Sequence, residues 1–282
     1  MPNSQILEQS IGSSARGIHT ITILGGQGKN HSPESLRQVE LRMGDIVSIV
    51  GPTGCGKTTL INDIELYANG NTPTGRTVLI NGEAPPEDYA SDPSSNPIAL
   101  ISQHTNFLSD LPVHEFLKTH ARIRGVESPS RAVDETVSFA NQLTGEPIIL
   151  ENAMTELSGG QTRSLLIADA IVIGNSPIIL LDEIENAGIH RTRALELLKS
   201  YEKIFIFVTH DPRIALLSDY RIVMRDGAMQ KLIVTSIEEK GAAQEIRRLD
   251  DLLLGLRQRI RIGEELNFCQ IHEQLRQLAY AD

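Results

Sequence analysis

Gly51-Pro-Thr-Gly-Cys-Gly-Lys57-Thr58-Thr59 lies between an apolar run, Asp45-Ile-Val-Ser-Ile-Val50, and a segment with helical spacing, Leu60-Ile-Asn-Asp-Ile-Glu-Leu66. The run is short and apolar enough for a buried strand. Strand, glycine-rich loop ending in Lys-Thr, and helix in that order make a phosphate cradle. Gly51, Gly54 and Gly56 let backbone N–H groups turn inward where a Cβ would block some of them. The following helix N-terminus adds partial positive charge. Lys57 can reach β- and γ-phosphates, and the Thr58 hydroxyl can ligate Mg²⁺. Cys55 and Thr59 complete the stretch expected to bind the phosphates. A chance glycine-rich turn is the plain alternative, and the strand before it and the helix after it speak against that.

Outward from this loop, residues 18–24, 36–42 and 45–50 read as strands, and the helix after the loop runs to about residue 68. A Gly/Pro-rich break leads to a strand at 76–80 with an Asn81-Gly82 turn. Residues 85–96, rich in Pro, Ser and Asp, read as a surface loop, and 97–102 as a strand ending at Gln103. The pattern turns helical from about 111 to 156. Strands return at 177–181 and 204–208 with a helix at 191–201 between them, then 220–225 and 228–234 form a hairpin. Strands alternating with helices predict an α/β core with a mainly parallel sheet and an inserted helical subdomain.

The 282 residues suffice for one large domain with an appendage, and 40% hydrophobic residues can fill a core. Aromatic residues are 4% and Trp is absent, so that core must be aliphatic. No window approaches a membrane span, and residues 1–17 form a polar lead-in without an apolar signal core. These readings predict a soluble cytoplasmic protein without direct membrane insertion. The formal net charge of −10 speaks against broad nucleic-acid binding, which needs a basic footprint. Of two cysteines, Cys55 and Cys269, one lies in the phosphate loop, so a structural disulfide is not expected. Cys55 can carry thiolate character near a helix N-terminus, or simply be a small residue at a permissive position. In the tail, Ile246, Leu249, Leu253, Leu256 and Ile260 fall on heptad-like positions. Gly263 interrupts before Leu266, Ile271, Leu275 and Leu278. This fits a helical hairpin packed on its own domain, or a surface that pairs with another chain.

Further motifs follow the loop. Leu157-Ser158-Gly159-Gly160-Gln161 opens a helix; Ser158 can cap it, and the glycines expose N–H groups to an anion. Ile178-Ile-Leu-Leu-Asp182-Glu183 delivers two acids at the C-terminal end of an apolar strand, where ligands bind in open α/β sheets. Asp182 can hold the Mg²⁺ shell, and Glu183 can orient or deprotonate a water. Phe207-Val-Thr-His210-Asp211 places His210 at the end of another core strand, within reach of a γ-phosphate. Taken singly, each residue has an ordinary structural reading, and Gln103 alone means nothing. Their joint order makes those readings poor.

In that order the motifs resemble the nucleotide-binding domain of the ATP-binding cassette (ABC) family, over residues 18–235. The resemblance implies a P-loop NTPase core with an antiparallel β subdomain and a helical subdomain at about 104–160; outside it, the apolar spacing of the tail reads as a C-terminal helical extension at 236–282. It implies ATP and Mg²⁺ as ligands. Gln103 becomes the lid-loop glutamine linking Mg²⁺ and the attacking water to the helical subdomain, Glu183 the catalytic carboxylate, and His210 the switch histidine. Ser158, Gly159 and Gly160 would act in trans on another cassette's phosphates, so hydrolysis implies a dimer, expected to be a homodimer. Three departures stand out. Ile189 replaces the Asp that ends the loop after Glu183, and that loop lacks its usual Pro. Asp169 stands where transporter cassettes carry Arg. The aromatic that stacks on adenine is missing; upstream there are only Gln27, Lys29, Asn30 and His31, with His31 a candidate for stacking or simply an exposed loop residue. The expected role is the energising subunit of a membrane transporter, held at the membrane's inner face by membrane subunits. The alternative is a soluble ABC ATPase that remodels a protein client. A non-hydrolysing module fits least, since Lys57, Asp182, Glu183 and His210 are all present.

Overall fold

The computed structural model describes residues 17–92, 95–102, 105–183 and 191–279, and divides into a compact unit up to Val234 and a second from Thr235. Two sheets frame the first unit. Strands β1 (Thr20–Leu24), β2 (Gln38–Arg42) and β4 (Thr77–Ile80) make an antiparallel sheet in the order β2-β1-β4. Strands β3 (Ile46–Val50), β5 (Ile98–Ile101), β6 (Ile178–Asp182), β7 (Ile204–Val208), β8 (Tyr220–Arg225) and β9 (Ala228–Val234) make the other, in the order β5-β6-β7-β3-β8-β9. Every neighbouring pair in it is parallel except β8 with β9.

Continuous apolar runs form the central strands because both faces of this sheet are covered. In β6 and β7, successive side chains go to opposite cores. Ile178, Leu180, Ile204 and Ile206 join the core shared with the antiparallel sheet and with Leu60, Ile61 and Ile64 of helix α1 (Lys57–Glu65). Ile179, Leu181, Phe205 and Phe207 join the core made with helices α3 (Val113–Ile123), α4 (Pro129–Leu143) and α5 (Gly159–Val172). Helices α6 (Arg191–Leu198) and α7 (Pro212–Leu217) complete the unit together with a five-residue α2 (Glu87–Ser91).

Two local expectations shift. The helix expected to reach residue 68 ends at Glu65, because Tyr67 turns to a φ of +51° and Ala68 N–H closes back onto the Asp63 carbonyl at 2.9 Å. The segment read as a loop contains α2, whose Glu87 and Asp88 lie in the first turn and favour the helix dipole. Its Pro/Ser/Asp content masks so short a helix.

The second unit holds α8 (Ile237–Arg261) and α9 (Phe268–Ala279). Ser236 and Glu239 cap α8 reciprocally, each side chain accepting from the other's backbone N–H at 3.1 Å. Gly263, at φ +81°, breaks the chain after α8 where the sequence predicts the break. Arg259 bridges to Glu264 at 2.6 Å and Gln270 at 2.9 Å. Leu249, Leu253 and Ile260, three of the heptad-like positions, are exposed. Among the described residues no helix is long and apolar enough to cross a membrane.

Candidate functional site

The strand order decides the site. Because β6, β7 and β3 are consecutive, their C-terminal ends lie side by side. From β3 the chain enters the glycine-rich loop, from β6 it reaches Asp182 and Glu183, and from β7 Thr209 and His210. Thr209 N–H donates to the Ile49 carbonyl at 3.4 Å, and Glu183 N–H to the Val208 carbonyl at 3.0 Å, so the ladder binds the three ends together. Glu183 takes a φ of +50°, in the left-handed region that a Cβ disfavours, and such strain concentrates at functional sites. Its Oε1 lies 3.8 Å from His210 Nε2, with both side chains partly exposed. His210 is followed by a fixed anchor. Asp211 caps α7 by accepting Arg213 N–H at 2.8 Å, and also pairs with the buried Arg213 guanidinium at 3.2 Å.

A loop that turns its N–H groups inward must turn its carbonyls outward, and each of those needs a donor. Lys57 Nζ donates to the Gly51 carbonyl at 2.9 Å and to that of Pro52 at 3.2 Å. Lys29 Nζ donates to the Gly54 carbonyl at 2.7 Å. Gly227 N–H donates to the Cys55 carbonyl at 2.9 Å, and Leu60 N–H to that of Gly56 at 3.1 Å. A Cβ on Gly51 would sit 2.4 Å from the Met224 carbonyl oxygen, and one on Gly56, where φ is +96°, 3.0 Å from Gly227 Cα. The cradle is therefore closed from behind by the β8–β9 turn. Cys55 is buried and free, facing this packing rather than solvent. Thr58 and Thr59 are exposed at the helix start, while Lys57 is buried.

A buried ionic cluster fixes this arrangement. Arg76, fully buried, binds Glu34 Oε1 at 2.6 Å, Asp63 Oδ2 at 2.8 Å and the Gly227 carbonyl at 2.7 Å. Glu34 also accepts from Gly26 N–H and Met229 N–H, and Asp63 from Thr74 Oγ1. Burial pulls the guanidinium pKa down, but the bonds to Glu34 and Asp63 outweigh it and the net shift is upward. One cation thus ties α1, the loop after β1, the start of β4 and the β8–β9 turn. Sequence reading missed it. Partners 42 and 13 residues away leave no periodic signal.

Ser158 is exposed at the start of α5, where Gln161 N–H donates to its Oγ at 3.3 Å and Gln161 Oε1 accepts Ser158 N–H at 2.9 Å. Gly159 is exposed and Gly160 half-buried, so this helix start is open to solvent. Deeper in α5, Asp169 pairs with His120 Nδ1 of α3 at 2.8 Å, and Arg124 Nε donates to His120 Nε2 at 3.3 Å. The residue that departs from the expected Arg is thus engaged between helices. His31 is exposed at φ +56°, and it is its neighbour Lys29 that touches the phosphate loop. Gln103 and the segment 184–190, with Ile189, lie outside the described residues.

The family described as ABC transporter matches residues 37–186. The chain is 53% identical over 249 residues to an uncharacterized ABC transporter ATP-binding protein, MJ0121, of Methanocaldococcus jannaschii, covering 88% of this chain and 95% of that one. It is 30% identical over 202 residues to the spermidine/putrescine import ATP-binding protein PotA of Bacteroides fragilis, covering 69% of this chain but only 42% of that protein's length. Among solved structures, the fold is similar to a dimeric post-hydrolysis state of the ATP-binding cassette MJ0796 bound to ADP and Pi. That match has a TM-score of 0.59 at 24% identity, over 77% of this chain and 99% of the other. It is also similar to cbiO1 of Clostridium perfringens, part of the ABC transporter complex cbiONQ, with a TM-score of 0.57 at 19% identity, over 86% and 97% of the two chains.

Proposed function

Since the chain belongs to the ABC transporter ATP-binding family and is an ATP-hydrolysing cassette, we propose that it is the energising subunit of a membrane transporter, working as a homodimer that binds two Mg-ATP between its copies. The observation that carries this is the convergence of the glycine-rich loop, Asp182-Glu183 and His210 at the adjacent ends of β3, β6 and β7. The residues fit the ligand. Gly51 and Gly56 stand where a Cβ would crowd the backbone behind the loop, and the partnered carbonyls leave inward N–H groups for phosphate oxygens. The Thr58 hydroxyl and the Asp182 carboxylate are hard oxygen donors suited to Mg²⁺. Mg²⁺, when bound, neutralises phosphate charge as it develops in phosphoryl transfer.

Lys57 leaves its loop carbonyls to meet the β- and γ-phosphates. Glu183 accepts the proton of the attacking water or orients it, and His210 and Gln103 hold the γ-phosphate side in place. The gripping side of the site is closed by hydrogen bonds to its carbonyls, whereas Ser158 and Gly159 are exposed, and Gly160 half-buried, on a helix start of their own. Donated to a second copy's ATP, the N–H groups of this helix start and the Ser158 hydroxyl would complete a dry, charge-complementary site. ATP then joins two cassettes and hydrolysis releases them, a cycle that does work on membrane subunits attached to both halves. Docking through such subunits holds an otherwise cytoplasmic cassette at the membrane.

The test is Glu183→Gln. The variant is expected to lose ATPase activity by about a hundredfold or more, the scale of a lost general base, and to accumulate as an ATP-dependent dimer on size-exclusion chromatography. An active variant overturns the assignment of Glu183. For the transport role, the tagged full-length protein is captured from its own cells. Recovery of a multi-span membrane protein supports the reading, and recovery of soluble partners alone overturns it.

A further inference from the structure

The second unit leaves most of its apolar residues outside any core. Among its described residues only Thr235 and Ala243 are buried. Leu249, Leu253 and Ile260 of α8 are 46%, 48% and 60% exposed. Spaced by four and then seven positions, they line one face of the helix. The half-buried Leu252, Leu256 and Arg259 lie to one side of that face, and there Arg259 meets Gln270 of α9 at 2.9 Å. So α9 engages the flank of α8 and leaves the Leu249–Ile260 face open. A unit this small holds too little core to be stable by itself. An exposed apolar face rimmed by charge marks an interaction surface.

The charges along the rim say what fits it. Asp250 and Arg257 stand one heptad apart on the other side of the face. Let two copies of α8 lie antiparallel, with Leu253 against Leu256 of the second copy. Leu249 then falls against Ile260, and Asp250 against Arg257, each contact repeated by the twofold axis. A parallel pairing instead sets Glu245 beside Asp250 of the second copy, a like-charge pair. Three neighbouring arginines are engaged within the unit: Arg247 lies 3.8 Å from Asp251, Arg248 3.1 Å from Glu245 and Arg259 2.6 Å from Glu264. Arg257 is exposed and forms no ion pair among the described residues.

We propose that this face of α8 pairs antiparallel with the same face of a second copy, so that two chains associate without nucleotide. The contact goes beyond the ATP-driven pairing of cassettes, since it uses no residue of the phosphate site. Self-complementary charge and a shared apolar stripe are what an isologous interface requires. One helix face offers an area at the low end for specific complexes, so the contact is weak and exchanging, with a dissociation constant on the order of tens of micromolar.

Sedimentation equilibrium of the full-length protein without nucleotide, at concentrations spanning that value, tests it. The wild-type mass should climb from 31.0 kDa toward twice that figure. Leu253→Glu should weaken the dimer by about a hundredfold or more, because it buries a charge at both copies of the stripe. Asp250→Arg and Arg257→Asp each set like charges at both flanking pairs and should weaken it about tenfold. Mixed in equal amounts, those two variants should regain the wild-type constant, because every flanking pair is then opposite in sign again. Far-UV circular dichroism should show wild-type helix content in both charge variants. A wild type that stays at the monomer mass overturns the inference. If Glu183→Gln still dimerises with ATP in that case, the inference falls alone and the ATP-driven pairing stands. A dimer that Leu253→Glu leaves intact also overturns it. So does one that Asp250→Arg strengthens, which is the mark of the parallel arrangement.

Discussion

The phosphate loop and the Ser158–Gly160 turn are both glycine-containing helix starts, yet the fold treats them differently. The loop before α1 is enclosed: four outward carbonyls have named donors in Lys57, Lys29 and Gly227, and Arg76 fixes the helix from behind. The turn before α5 is exposed and capped only by its own Gln161. A rigid backing suits the side that must hold a polyanion without reorganising. An exposed, self-contained turn suits a surface that approaches from another molecule and leaves again. Under the proposed function, the enclosed loop is the grip of one copy and the exposed turn the half it offers to a neighbour.

The largest effect tests that division directly. Lys57→Ala removes the cation of the enclosed half, and Gly159→Glu puts an anion on the exposed half; each alone is expected to lower ATPase activity by about a hundredfold or more. Mixed, the two variants form heterodimers holding one site with wild-type Lys57 and wild-type Gly159. Activity should return to roughly a quarter of wild type under random pairing in a twofold dimer. No recovery on mixing breaks the comparison.

Arg76→Met probes the backing of the enclosed half. Leaving Glu34 and Asp63 buried without their cation should cost about 3–5 kcal/mol in urea unfolding. The double variant Arg76→Met with Glu34→Gln should recover part of that loss. A cost below about 1 kcal/mol would mean that the cluster does not hold α1.

Lys203 offers a control at the opposite end of β7 from His210. It is buried, donates to Asn175 Oδ1 at 2.8 Å and the Ser176 carbonyl at 3.0 Å, and burial pulls its ammonium down to about 8 from 10.5. Between those values the unfolded chain binds more protons than the folded one, so this contribution to stability rises as pH increases from about 8 to about 10.5. The full span is worth about 3 kcal/mol. Urea unfolding at pH 7.5 and 9.5 should show the rise in wild type and not in Lys203→Met. The variant's KM for ATP should stay within about twofold of wild type at pH 7.5, because Lys203 touches neither half of the site. A shift in KM would mean that stability alone leaks into the site.

Ser158→Ala is the smallest change. Loss of the cap should cost about 1 kcal/mol of stability. If the turn also serves another copy, the variant should further weaken ATP-driven dimerisation, whereas a purely structural cap would leave the dimer constant unchanged once folding is corrected for.

Much of this molecule was legible because its signals are local. The strand-loop-helix around Gly51 to Thr59, the acids after β6, the His after β7 and the break at Gly263 each occupy a few consecutive residues. The short α2 was not legible, since five residues hold too few turns to show a period. His31 was the residue singled out upstream of the loop, and Lys29 is the one that reaches it, because a loop's direction depends on what it packs against.

The amino-acid sequence by itself determined which chemistry is present: a phosphate cradle, two acids and a histidine each at the end of an apolar strand, and a capped glycine turn. Hydrophobic period and backbone permissiveness act within a few residues, so the chain writes them plainly. Tertiary structure alone decided that β6, β7 and β3 are neighbours, that Arg76 gathers Glu34 and Asp63, and that Lys29 lies on Gly54. Those are contacts across tens to more than a hundred residues, chosen by which faces can be buried together and which charges must be paired once they are.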